Sequence, residues 1–96
     1  DNVFEAKDEL YIPSAYTPNG DGINDDWQIR NIDKYPLCVV KIFNRDGRQV
    51  FESQGYKETW EGFDGDRILP SDEYNYEIDL LNDGTEMKNG TVTIFR

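Results

Sequence analysis

Histidine is absent from the 96 residues, cysteine and methionine occur once each, and only 10 bases stand against 20 acids. Each shortage removes a class of function. Without imidazole there is neither a histidine general base nor a histidine metal ligand. The lone Cys38 forms no internal disulfide, and its place in an apolar strand makes it a small buried hydrophobe rather than a reactive thiol. A net charge of −10 repels phosphate backbones and anionic lipid alike, so no nucleic-acid partner is expected. No apolar run reaches the length of a transmembrane helix and no basic-then-apolar leader is present, so no membrane insertion is expected either. No Ser, Cys or Lys sits beside an evident base, which leaves no nucleophilic constellation, and the chain is read as a non-enzyme.

What remains is enough for one domain. A chain of this length buries roughly 65% of its unfolded-state surface. Two tryptophans, six tyrosines and five phenylalanines supply bulk for a small interior despite the 31% of charged residues. The start at Asp1 rather than Met suggests a fragment of a longer precursor, with residues 1–8 a linker remnant or an added edge strand and residues 9–96 the domain proper.

Short alternating runs separated by turn chemistry recur along the chain, and no window holds a capped helical period. Strands are expected from Leu10 to Tyr16, from Trp27 to Arg30, from Cys38 to Phe43, from Gln49 to Glu52, from Tyr74 to Leu80 and from Thr91 to Arg96, with a shorter one at Glu58-Thr59-Trp60. Asp46-Gly47 and Asn82-Asp83-Gly84 read as hairpin turns, and Lys88-Asn89-Gly90 as a bulge or a further turn. Tyr74, Tyr76, Ile78 and Leu80 share one face of their strand, whereas the apolar run around Val40 leaves both faces open to burial. The fold class is all-β, an immunoglobulin-like antiparallel β-sandwich of about seven strands.

One loop is dense in oxygen donors. In the stretch from Thr17 to Asp26, Asn19 and Asp21 offer side chains at alternate positions, Gly22 permits a sharp reversal, Ile23 offers a carbonyl and Asp25 reaches back, with Thr17, Asn24 and Asp26 in reserve. Such hard ligands suit Ca2+. Thr17 and Gln28 replace the first and last acidic ligands of an EF-hand, and the flanks read as strand, which excludes that motif. What is left resembles the shorter loops of extracellular calcium-binding repeats. A metal-free turn uses the same residues equally well, since Asn and Asp bond their own backbone and glycine accepts positive φ.

The run from Ile12 to Asp25 also resembles the opening signature of the gliding motility-associated C-terminal domain family, the type B sorting domain of the type IX secretion system. The likeness continues through Ile42-Phe43-Asn44-Arg45-Asp46-Gly47, Val50-Phe51-Glu52, Trp60-Glu61-Gly62, Leu69-Pro70, Tyr74-Asn75-Tyr76 and Asn89-Gly90-Thr91-Val92-Thr93-Ile94. Asp46 stands where an aromatic is usual, and Asn89-Gly90 where Lys-Gly is commoner. The resemblance implies a Bacteroidota protein, secreted or held at the cell surface after transit through the periplasm. Its sorting domain, a monomer carrying an N-terminally fused cargo, is then read by outer-membrane components of the export machinery. A sorting domain carries its information in shape and edges, so the closing strand Gly90, Thr91, Val92, Thr93, Ile94, Phe95 and Arg96 is the natural element to be read, although an ordinary sandwich strand packing Val92 and Ile94 has the same pattern and the two readings are compatible. Two other readings compete. In one, Trp27, Trp60 and the tyrosines form a sugar-stacking platform; in the other, the domain is a structural spacer in a surface protein.

Overall fold

A computed structural model describes residues 10–18 and 25–96. One layer is a five-stranded sheet built from β1 (Ala15–Tyr16), β2 (Val39–Phe43), β3 (Gln49–Gln54), β6 (Asp72–Asp79) and β7 (Met87–Ile94), in the order β1-β7-β6-β2-β3. β1 runs parallel to β7, pairing Ala15 with Thr93 and Tyr16 with Ile94; the other pairs are antiparallel. The opposite layer has little backbone ladder. It consists of the hairpin β4 (Phe63–Asp64) and β5 (Arg67–Ile68) and the single bridges Tyr11–Arg30 and Trp27–Trp60. The described residues include one 3-10 turn, Ile32–Lys34, and no α-helix. The architecture is the expected all-β sandwich of immunoglobulin type.

Alternation places the core. On β6, Tyr74 and Ile78 are buried and Tyr76 is half-buried on the same face, as their spacing predicts. The ambiguity at β2 is settled by register: Val40 and Ile42 pair with Ile78 and Tyr76 and face the interior, while Val39 pairs with Asp79 on the other face. Trp27, Trp60, Ile42, Ile78, Ile94, Val40, Val92 and Cys38 are the largest fully buried side chains. Burying a leucine-sized side chain contributes about 1.5–3 kcal/mol. This shared interior, rather than the sparse ladder of the second layer, therefore holds the two layers together.

A tyrosine ties the start of β6 to the preceding corner. The Tyr74 hydroxyl donates to the Pro70 carbonyl four residues upstream at 2.9 Å, the tyrosine-corner device of immunoglobulin-like sandwiches. The β2–β3 hairpin closes through Asn44, whose N–H donates to Arg48 O and whose carbonyl accepts from Gly47 N, both at 2.9 Å. The Asn44 side chain also accepts from the Asp46 and Arg48 amides.

Three expected strands are shorter in the structure. The Leu10–Tyr16 segment pairs only at Tyr11 and over β1, because Pro13 between them has no N–H and its carbonyl is taken by the Trp27 indole Nε1 at 2.8 Å. The chain crosses there from one layer to the other. Trp27–Arg30 and Glu58–Trp60 reduce to isolated bridges. Conversely, Lys88-Asn89-Gly90 is neither bulge nor turn but part of continuous β7, with Lys88 opposite Ile78 and Gly90 opposite Tyr76. A Cβ on Gly90 would lie 2.7 Å from the Tyr76 hydroxyl, so the glycine is there for the phenol that lies across it. Residues 1–8, expected as linker or edge strand, lie outside the described residues.

Candidate functional site

The donor-rich loop is described only at its ends. Asn19, Asp21, Ile23 and Asn24 lie outside the described residues, so their convergence on a cation is not addressed by the fold. Thr17 is half-buried just beyond β1, and Asp25 and Asp26 lead into Trp27. Asp26 is engaged across the layers: its carboxylate accepts from Thr59 Oγ1 at 2.6 Å and from Gln28 Nε2 at 3.2 Å. Among the described residues no group of three or more His, Cys, Asp or Glu side chains is placed to hold a metal.

Behind the loop sits a polar node inside the core. Trp27 N–H donates to Trp60 O at 2.9 Å. The reciprocal bond of a narrow antiparallel pair is replaced by the Tyr56 hydroxyl, which accepts from Trp60 N at 2.9 Å and donates to Trp27 O at 2.5 Å. Buried backbone groups need partners, and one phenol here supplies two. Tyr56 holds a left-handed backbone, φ 49, to reach the gap. Its ring stands edge-on to Trp27 and to Phe51. Burial pushes the Tyr56 hydroxyl pKa far above its ordinary value, and that of Tyr16 likewise, so both stay protonated. The Tyr16 hydroxyl is buried without a hydrogen-bond partner among the described residues. Burial also raises the Cys38 thiol, in keeping with an inert packing role.

The closing strand is locked at its end by Arg96. Its guanidinium donates from Nε to Leu69 O at 2.5 Å, from Nη1 to Pro18 O at 2.9 Å and from Nη2 to Gly62 O at 2.9 Å, and its main-chain N–H donates to Ser71 Oγ at 2.8 Å. One side chain thus gathers the exit of β1, the turn before β4 and the corner before β6. Gly62 makes this close approach workable: its φ is +84, and a Cβ there would fall 2.6 Å from Arg96 Nη2.

The residues expected to be read by a partner separate by face. Val92 and Ile94 are core, and Thr91 and Phe95 are exposed, Phe95 at 55%. Thr93 is half-buried beside Ala15, Gly90 lies under Tyr76, and Arg96 is engaged as a clamp. β7 is only in part the edge that a chain-closing strand suggests: β6 flanks it throughout on one side, and on the other β1 covers Thr93 and Ile94. The indoles of Trp27 and Trp60 are 0% and 1% exposed, so neither offers a face for sugar stacking.

Comparison with known families decides the class. The profile of the CHU_C type IX secretion signal domain matches residues 10–94. The chain belongs to this family. Among solved structures, PorZ of Porphyromonas gingivalis, described as an essential bacterial surface component of its type IX secretion system, shares the fold. That likeness has a TM-score of 0.67 at 19% identity and covers 93% of this chain but only 12% of PorZ. Comparison with curated proteins finds no match.

The type IX secretion signal domain is a non-catalytic kind of family, and membership implies export toward the outer membrane or cell surface. The quoted motifs of this signal domain now have structural reasons. Trp60-Glu61-Gly62 couples the core indole to the carbonyl that receives Arg96. Leu69-Pro70 followed by Tyr74 is the tyrosine corner, with the Leu69 carbonyl serving the clamp. Tyr56 escaped the sequence reading because it sits in a loop, outside any alternating run, and only the folded chain brings it between two distant backbones.

Proposed function

We propose that this signal domain is an export address read in its folded form by outer-membrane components of the type IX machinery, acting as a monomer on a cargo fused N-terminally. The protein that carries it would pass through the periplasm and be secreted or retained at the cell surface. The family match over residues 10–94 carries this reading. The fold supports recognition by shape: Val92 and Ile94 build the core, while Thr91 and Phe95 of the same segment are exposed. Calcium at Asn19, Asp21, Ile23 and Asp25 belongs to this proposal on its donor pattern alone; it would stiffen the loop beside the Pro18 carbonyl that Arg96 holds.

The test is to append residues 1–96 to a reporter that carries its own inner-membrane export leader, in a host with the type IX system and in the same host lacking the outer-membrane pore. Reporter outside the first cells and trapped in the periplasm of the second is the expected outcome. Equal trapping in both removes the proposal. Deleting Gly90 to Arg96 is not a usable variant, because it strips Val92 and Ile94 from the core and the clamp from Arg96.

A further inference from the structure

Three backbone bonds, one to the β6 side and two to the β1 side, fix which way the backbone of β7 points. Leu80 N–H donates to Glu86 O, so even-numbered residues of β7 address β6. Thr93 N–H donates to Ser14 O and Phe95 N–H to Tyr16 O, so odd-numbered residues address the opposite side. β1 covers that side only at Thr93 and Ile94, because the chain before Ser14 turns away at Pro13 to reach Arg30. The N–H and C=O groups of Met87, Asn89 and Thr91 therefore point outward with no partner among the described residues, along an edge of about 14 Å.

We propose that this edge, Met87 to Thr91, is a strand-addition site for an extended basic segment of a partner protein. The proposal rests on the export reading and names the element through which recognition occurs. Backbone groups in a row supply the affinity of such an encounter, and the side chains alongside set its chemistry. On the outer face Asn89 lies beside Glu77 and Met87 beside Asp79, so lysine or arginine at alternate positions of an incoming strand meets carboxylates one strand further in, of which Glu77 also has Lys41 of β2 on its far side. A second copy of this chain is the poorer occupant, since each copy brings a net charge of −10. On the other face Gly90 leaves the half-buried Tyr76 phenol level with the edge, with no side chain in the way.

Amide exchange on the full chain tests the edge directly, with a short alternating Lys-Thr peptide as probe and its Glu-Thr counterpart as control. In the free chain the amides of Met87, Asn89 and Thr91 should exchange fast while those of Lys88, Gly90 and Val92 are protected. The Lys-Thr peptide should slow the outward amides by roughly tenfold or more, and the Glu-Thr peptide should not. Outward amides already protected in the free chain, or indifferent to the Lys-Thr peptide, overturn the proposal. In cells, Asn89→Pro deletes one outward N–H and no bond to β6. A folded Asn89→Pro fusion should be exported roughly tenfold less than wild type, the change that loss of one backbone hydrogen bond of about 1.4 kcal/mol brings, and export at the wild-type level overturns the proposal. Should Asn89→Pro not fold, the exchange measurement decides. Should the wild-type fusion itself stay in the periplasm, it is the export reading that fails, and the exchange measurement still judges the edge.

Discussion

Replacing Tyr56 by Phe removes one oxygen and keeps the ring, its contacts with Trp27 and Phe51 and its left-handed backbone. The loss falls on two other residues. Trp60 N–H and Trp27 C=O, both inside the core, lose the hydroxyl that bridges them. An unsatisfied buried polar group costs about 1–3 kcal/mol, and partial closure of the gap takes the pair to about 2–4 kcal/mol together. For a domain of this size each kcal/mol lowers the melting temperature by roughly 4–8 °C, so a fall of roughly 8–32 °C is expected. Urea titration followed by tryptophan fluorescence reads the same quantity, with the slope unchanged if only stability moves. Tyr74→Phe is the internal control, because its acceptor, the carbonyl of exposed Pro70, can turn to water; its cost should be about 1 kcal/mol. If Tyr56→Phe destabilises no more than Tyr74→Phe, the phenol does not bridge the two backbones and the account of the second layer fails.

Arg96→Ala should cost about 1–2 kcal/mol, and Gly62→Ala a similar amount, because its methyl displaces the guanidinium and occupies a positive φ. The two should be less than additive in a double-mutant cycle by thermal melts, and strict additivity would refute a shared contact. At high pH the folded state keeps Tyr16 and Tyr56 protonated while the unfolded chain ionises near the ordinary tyrosine value. Stability is thus full below about pH 10 and falls above it by about 1.4 kcal/mol per pH unit for each buried phenol, measurable by urea melts alongside tyrosinate absorbance. Tyr16→Phe should flatten that slope by about one phenol's share. Calcium should raise the melting temperature and Asp21→Ala should abolish the increment; identical melts with calcium and with chelator would end the cation reading of the loop.

The alternation of Tyr74, Tyr76, Ile78 and Leu80 was enough to place one face of β6 on the core, and the Asn44-to-Gly47 turn was legible because such turn chemistry is local. Regular strands announce themselves by period two, a property of neighbours in sequence. The second layer has no such period. It is held by the Tyr56 hydroxyl, the Trp27 indole on Pro13 and the Arg96 guanidinium on Pro18, Gly62 and Leu69, contacts between residues remote in sequence that leave no mark on local patterning. For the same reason Lys88-Asn89-Gly90 read as a turn: glycine signals a break locally, whereas here it answers a phenol on the neighbouring strand. Composition and motif order alone determined that this is a small β domain of the secretion signal kind. Only the tertiary structure decided that β1 covers the end of the closing strand, and which stretch of its backbone is left facing outward, because a strand's edges are defined by what the rest of the chain does beside it.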